Sequence, residues 1–197
     1  MNFKVWMKSR VADKVLAPVR DELLGLIEND SSILEVGCGT GDLLFRAAPI
    51  ISEGLGIDLD KDMINFAESL RLKRNLNHLH FECKDALDIN QIKYDISTST
   101  LCLHEMNETN ACRVLQKMVE ISKKVLIADY SKAKTLSGKI GTEADELFSG
   151  HYGNFKKYCQ KGEIPSYAAQ IGATITESVD SVVDGITIWV IEGKMTD

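Results

Sequence analysis

The chain contains no run of basic residues, and its charge excess is of the opposite sign. Lys and Arg number 23 against 29 Asp and Glu, for a formal net charge of −6. A nucleic-acid backbone would be repelled, so no nucleic-acid partner is expected and a small or neutral substrate fits better. No apolar run approaches the ~20 residues of a bilayer-spanning helix, so no membrane insertion is expected. Charges recur every few positions from Met1 to Leu24, which does not suit a secretory signal. Five cysteines (Cys38, Cys83, Cys102, Cys112, Cys159) make an odd set with no Cys-x-x-Cys pair. That argues against a disulfide framework and a zinc site, so a cytoplasmic setting and no metal are expected. Several catalytic signatures are missing as well. There is no Gly-x-Ser-x-Gly elbow and no P-loop, and His104-Glu-Met-Asn-Glu108 lacks the second histidine of a zinc-protease helix. The nearest thing to a basic patch, Arg71-Leu-Lys-Arg74, falls at the end of a helical pattern, where cations complement the negative helix end.

What the chain does have is Ile33-Leu-Glu-Val-Gly-Cys-Gly-Thr-Gly41. Ile33, Leu34 and Val36 suit a buried strand. Gly37, Gly39 and Gly41 turn the chain, and Leu43, Leu44, Ala47 and Ala48 follow at helical spacing. Glycines at a strand-to-helix turn let a ligand approach the backbone, and the N–H groups opening the helix face it. A dinucleotide fingerprint needs Gly-x-Gly-x-x-Gly. Here the spacing is Gly-x-Gly-x-Gly, with Asp42 in the place of the last glycine. An acid there would repel a pyrophosphate but not a cofactor bearing an ammonium and a sulfonium; alternatively Asp42 is a solvated first-turn acid favoured by the helix dipole. A second strand pattern, Gly54 to Asp60, carries Asp58 at 21 residues beyond Gly37, where a doubly wound fold sets a carboxylate over a ribose. A third, His78 to Cys83, runs into Lys84-Asp85-Ala86, suited to the amine and ring edge of an adenine. A fourth, Tyr94 to Thr100, leads to Leu101-Cys-Leu-His104.

These four motifs, in this order and spacing, resemble the class I S-adenosylmethionine-dependent methyltransferases over roughly residues 30 to 130. Polar Ser97 to Thr100 depart from the family's usual apolar fourth strand. The resemblance implies S-adenosylmethionine as cofactor, held by Glu35, Gly37, Cys38, Gly39, Gly41, Asp58, Leu59, Met63, Asp85, Ala86, Thr100 and Leu101. In this reading Glu35 orients the glycine loop and the methionine amine. Asp58 holds the ribose, Leu59 and Met63 flank the adenine, and backbone near Thr100 and Leu101 touches the methionine end.

Strand and helix patterns alternate along the chain, as a parallel sheet covered on both faces requires. Val11, Val15, Leu16, Val19, Leu23 and Leu24 predict an amphipathic N-terminal helix that Pro18 splits or kinks. Asp60 is the expected cap of a helix burying Met63, Ile64, Ala67 and Leu70. Another helix, Glu108 to Ile121, buries Ala111, Val114, Leu115 and Met118. A fifth strand spans Val125 to Ala128, ending at Asp129-Tyr130. Segments Ala173–Val183 and Ile186–Ile191 read as a hairpin turning at Asp184-Gly185. The resemblance implies an α/β, doubly wound, Rossmann-like sheet of seven strands, mostly parallel, in the order 3-2-1-4-5-7-6 with this antiparallel hairpin at the C-terminus. One domain is expected over residues 1–197, with a helical cap at 1–30 and a helical insertion at 131–172. Helices are expected there near Glu143–Phe148, Tyr152–Tyr158 and Pro165–Gly172. His151, Tyr152, Phe155 and Tyr158 either line a substrate pocket or pack as core.

Methyl transfer needs alignment above all, and a base only where the acceptor must lose a proton. His104 is the candidate base, with Glu105 and Tyr130 behind it; the resemblance also allows His104 a structural role beside the cofactor or the following helix. Asp129 either faces the pocket or caps the next turn. The expected activity is methyl transfer to a small-molecule acceptor. A nicotinamide-dependent oxidoreductase and a non-catalytic cofactor-binding subunit are the alternatives.

Overall fold

The computed structural model describes residues 13–89, 93–133, 135 and 152–195. Its strands are β1 (Ser32–Val36), β2 (Glu53–Asp58), β3 (Leu79–Cys83), β4 (Tyr94–Thr100), β5 (Ser122–Tyr130), β6 (Ile175–Asp180) and β7 (Ile186–Glu192). They form one seven-stranded sheet in the order β3-β2-β1-β4-β5-β7-β6, as the resemblance implies. Pairs from β3 across to β5 are parallel, and β7 runs antiparallel to both β5 and β6. The winding direction reverses between β1 and β4. Ligands bind at such a switch point, beyond the carboxyl ends of the strands.

Helices α1 (Asp13–Val15), α2 (Ala17–Leu24), α3 (Asp42–Ala47), α4 (Lys61–Lys73), α5 (Glu108–Ile121), α6 (Tyr152–Lys161) and α7 (Glu163–Gln170) accompany the sheet. Asp60 caps α4 by accepting the N–H groups of Asp62 and Met63 at 3.0 and 3.3 Å. Met63, Ile64 and Ala67 are buried, and Leu70 packs beside them half-buried. On α5, Ala111, Val114, Leu115 and Met118 all face the core. At the end of α4, Arg71 pairs with Glu68 at 2.9 Å and Arg74 lies over the Phe45 ring. No helix among the described residues is long and apolar enough to cross a membrane.

Three elements differ from the sequence reading. Pro18 splits the N-terminal pattern into α1 and α2, as expected, but the two pieces do not share one apolar stripe. Val15 loses register with Val19 and Leu23 and is 61% exposed. Residues 1–12 lie outside the described residues. The hairpin does not turn on Asp184-Gly185 alone. Only Gly185 has positive φ there (87°), and residues 181–185 form a wider loop closed by the Ser181 N–H on the Ile186 carbonyl at 2.9 Å. That loop docks on α2, because Glu22 accepts the Ser181 hydroxyl at 2.5 Å and the Val182 N–H at 2.9 Å. Finally, β5 begins at Ser122, ahead of the expected Val125, and ends as expected at Asp129 and Tyr130, which pair with Thr187 and Ile186 of β7. The helix expected near 143–148, His151 and the side chain of Tyr152 fall outside the described residues. The last insertion helix begins at Glu163, with Pro165 in its first turn, where a missing N–H costs little.

Two polar clusters fix β1 and the turn after it. At the start of β1, the Ser32 N–H and hydroxyl donate to Asp95 Oδ2 at 2.9 and 2.7 Å, and the Asp95 N–H donates to Ser32 Oγ at 2.9 Å. These bonds, with Lys123 nearby, hold the Asp95 carboxyl below its ordinary range. At the other end, the Thr40 hydroxyl donates to Asp13 at 2.7 Å. Asp13 pairs with Arg20 at 3.0 Å, Arg20 with Asp42 at 3.1 Å, Asp42 with Arg46 at 2.7 Å, and Arg46 with Asp21 at 2.8 Å. The first two helices are thereby tied to the glycine turn through a buried ion pair.

Removing one partner of such a pair leaves the other charge buried. Arg20→Ala is expected to destabilise the fold by about 3–5 kcal/mol in urea unfolding. The Asp95 contribution has the opposite experimental signature, a pH dependence. A depressed carboxyl stabilises above its unfolded pKa, and the gain disappears as pH falls through the folded value. Asp95→Asn should therefore unfold at lower urea than wild type at pH 7, with the gap closing below roughly pH 4. A gap independent of pH would contradict this.

Candidate active site

The turn after β1 holds a steric demand that only glycine meets. Gly37, Gly39 and Gly41 have φ of 71°, 52° and 77°. A Cβ on Gly37 would lie 2.3 Å from the Cys102 sulfur, and one on Gly41 would lie 2.5 Å from the Phe81 ring. The bend is pinned to the end of β2. The Gly37 and Cys38 N–H groups donate to the Ile57 carbonyl at 2.9 and 3.0 Å, and the Gly39 N–H donates to Asp58 Oδ2 at 2.8 Å. Asp58 Oδ1 accepts the Asp60 N–H at 2.8 Å, so the carboxylate is clamped between the glycine bend and the cap of α4.

Around this clamp stand the other residues named from sequence. Leu59 is 72% exposed although apolar, while Met63 behind it is buried. Asp85 is exposed and accepts the Leu87 N–H at 2.9 Å, capping the short 3-10 turn Ala86–Asp88, in which Ala86 is buried. Glu35 lies buried inside β1, between Gly56 of β2 and Thr98 of β4. Beyond Thr100, Leu101 takes φ 48°, a conformation costly for leucine, and donates its N–H to the Ala128 carbonyl at 2.8 Å. The ends of β1, β2, β3 and β4 thus carry the named residues along one edge of the sheet. Cys38 is buried, and its thiol is pushed well above the ordinary range by burial and then by Glu35 and Asp58, so it is held protonated and unreactive.

Asp42 is a correction. From sequence it reads as a charge that repels a pyrophosphate, or as a solvated acid. It lies instead between Arg20 and Arg46, which offset its charge, so it does not by itself exclude a pyrophosphate. Arg46, four residues on, was visible as a partner; Arg20 approaches only through the fold.

His104 is 1% exposed. Its Nδ1 is hydrogen-bonded to Asp129 Oδ1, and its backbone N–H reaches Asp129 Oδ2 at 3.3 Å. Asp129 also accepts the Tyr130 N–H at 2.8 Å, so it clamps the histidine rather than capping a turn. The imidazole sits 4.6 Å from the Tyr130 ring centre and 6.1 Å from those of Phe155 and Tyr158. Phe155 and Tyr158 are core residues here. The Tyr158 hydroxyl donates to the Tyr130 carbonyl at 2.7 Å, and burial, reinforced by Asp129, pushes its pKa well up. Glu105 offers its carbonyl to the Asn154 amide at 2.7 Å. Among the partners that escape sequence reasoning are Cys102 against Gly37 and Asp13 on Thr40. Neither belongs to a local pattern.

Residues 27–178 match the family model described as a methyltransferase domain. The uncharacterized methyltransferase YcgJ of Bacillus subtilis (strain 168) is 22% identical over 101 residues, half of this chain; the chain spans 40% of that relative's length. Among solved structures, a SAM-dependent methyltransferase from Aquifex aeolicus has a TM-score of 0.68 at 14% identity, covering 96% of this chain and 97% of its own. Magnesium protoporphyrin IX methyltransferase from Synechocystis PCC 6803, with bound SAH, has a TM-score of 0.63 at 16% identity, covering 98% and 88%. At these identities the two structures speak to fold alone. The family model spans most of the chain, and with this sheet order it establishes that the chain belongs to the class I S-adenosylmethionine-dependent methyltransferase family.

Proposed function

We propose that this chain transfers a methyl group from S-adenosylmethionine to a small-molecule acceptor by in-line displacement. One observation carries the reading: the Asp58 carboxylate, clamped by the Gly39 and Asp60 N–H groups beside a bend with no room for a Cβ at Gly37 or Gly41. That arrangement fits a nucleoside with a ribose at the carboxylate and a slender chain along the glycines. Bound S-adenosylmethionine supplies a methyl group already activated by its sulfonium, with a neutral leaving group.

The residues do the holding. Asp58 accepts from the ribose hydroxyls, Asp85 and the Ala86 N–H meet the adenine edge, and Leu59 and Met63 cover its faces. Glu35, Gly37, Cys38, Gly39 and Gly41 form the bed for the methionine part, closed by the backbone at Thr100 and Leu101. Alignment of this kind is worth roughly 7–11 kcal/mol of a bimolecular barrier. The N-terminal segment and the insertion at 131–172 shape the acceptor pocket within the same domain. Where the acceptor carries a proton, His104 takes it. The Asp129 carboxylate makes Nδ1 the donor nitrogen, so Nε2 is the basic one.

The reading gives two expected outcomes. Asp58→Ala should weaken S-adenosylhomocysteine binding by at least about tenfold in calorimetry, because bonds to a charged group contribute ~1.5–3 kcal/mol each. Unchanged affinity would contradict the ribose assignment. His104→Gln should keep that affinity while lowering methyl transfer from labelled cofactor into a pool of small metabolites by about 10²–10⁴-fold. Wild-type transfer rates from this variant would remove His104 from the chemistry.

A further inference from the structure

Arg20, Asp21 and Glu22 are consecutive on α2, and each holds a different part of the molecule. Successive helical residues point about 100° apart, so the three side chains fan across the helix. Arg20 is buried and reaches the turn after β1. It pairs with Asp13 at 3.0 Å, whose other oxygen accepts the Thr40 hydroxyl at 2.7 Å, and with Asp42 at 3.1 Å. Asp21 pairs with Arg46 of α3 at 2.8 Å. Glu22 reaches the loop between β6 and β7, where it accepts the Ser181 hydroxyl at 2.5 Å and the Val182 N–H at 2.9 Å.

These ties join two distant places on one edge of the sheet. β7 lies three places from β1, roughly 14 Å at about 4.8 Å per strand. The loop is one wall of a cavity of about 280 Å³ that Ser131 and Lys132, just past β5, also line. β5 runs parallel to β4 and β4 to β1, so cavity and glycine bend share the carboxyl edge. Between them stands a helix of only eight residues, headed by Leu16, which has no polar side chain to cap it. A helix this short does not hold itself together in water. It takes its place from packing on α3 and β5, through buried Val19 and Leu23, and from these side-chain ties. A shift of the bend therefore moves α2, and α2 carries the loop with it.

We propose that α2 is a strut coupling the cofactor site to the 181–185 loop: Arg20 sets the glycine bend, Glu22 sets the loop, and filling the first site fixes the second. Both are positioning residues, and neither belongs to the bed assigned to the cofactor. The proposal rests on the cofactor reading above and adds an order to it, since the cavity wall takes its final shape once the cofactor is bound. Coupling is reciprocal, so a loosened loop must weaken the cofactor's hold.

Hydrogen exchange and calorimetry with S-adenosylhomocysteine test this. In wild type the ligand should slow exchange of the Val182 and Val183 amides about three- to tenfold. Loop amides exchange by local opening, so a general gain in stability does not protect them. Glu22→Ala should abolish that protection and weaken S-adenosylhomocysteine binding about three- to tenfold. Ser181→Ala cuts one of the two bonds from the loop side and should give a smaller loss in the same direction. The double variant should lose no more than Glu22→Ala alone. A Glu22 with only a structural role would lower the melting temperature and leave affinity unchanged. Unchanged affinity in Glu22→Ala, wild-type exchange that ignores the ligand, or additive losses in the double variant would overturn the proposal. Should Glu22→Ala fail to fold, Ser181→Ala and the wild-type exchange decide on the same terms. If calorimetry shows no binding to wild type, the cofactor reading itself fails and this coupling falls with it.

Discussion

Two α-carbons within five residues, those of Gly37 and Gly41, have no room for a side chain, and the rest of the site follows from that. Gly37, Gly39 and Gly41 all take positive φ, and at two of them the missing Cβ space is already filled by Cys102 and Phe81. The bend brings the Gly39 N–H onto Asp58, so one carboxylate ties the turn after β1 to the end of β2. In the proposed function, loop shape and ligand recognition share that group. A change at Asp58 disturbs both at once, and a change at the glycines displaces Asp58.

The molecule accepts costs near this bend that it avoids elsewhere. An arginine and an aspartate are buried beneath it, where a well-packed apolar pair would often be as stable or more so. Hydroxyls replace aliphatic side chains on β4, and a leucine takes a left-handed conformation at its end. Local violations of packing rules tend to gather at functional sites. Their concentration where β1 and β4 diverge is the physical counterpart of the family match.

Elements set by near neighbours were legible in sequence. β4 runs from Tyr94 to Thr100 as its pattern implied, Asp60 caps α4, and α5 buries the four residues its spacing selected. Elements set by distant contacts were not. Asp184-Gly185 has the local form of a tight turn, yet Glu22, some 160 residues away, holds a longer loop. The Asp42 charge looked unopposed because Arg20 reaches it from 22 residues earlier, through the fold. The His104–Asp129 bond joins residues 25 apart, on a short 3-10 turn and a strand end that no local pattern pairs. For the candidate site, glycine and acid spacing exposed which strand ends matter. Side chains that orient those residues, Asp13, Cys102 and Asp129, emerge only when the sheet is assembled.

The central claim is that an S-adenosyl nucleoside lies across the ends of β1 and β2. A crystal structure grown with S-adenosylhomocysteine tests it most directly. The account predicts ribose hydroxyls within about 2.5–3.2 Å of the Asp58 carboxylate oxygens and the amino-acid tail against the Gly37–Gly41 bend. A nucleoside bound elsewhere, or this edge left open at saturating ligand, would contradict it.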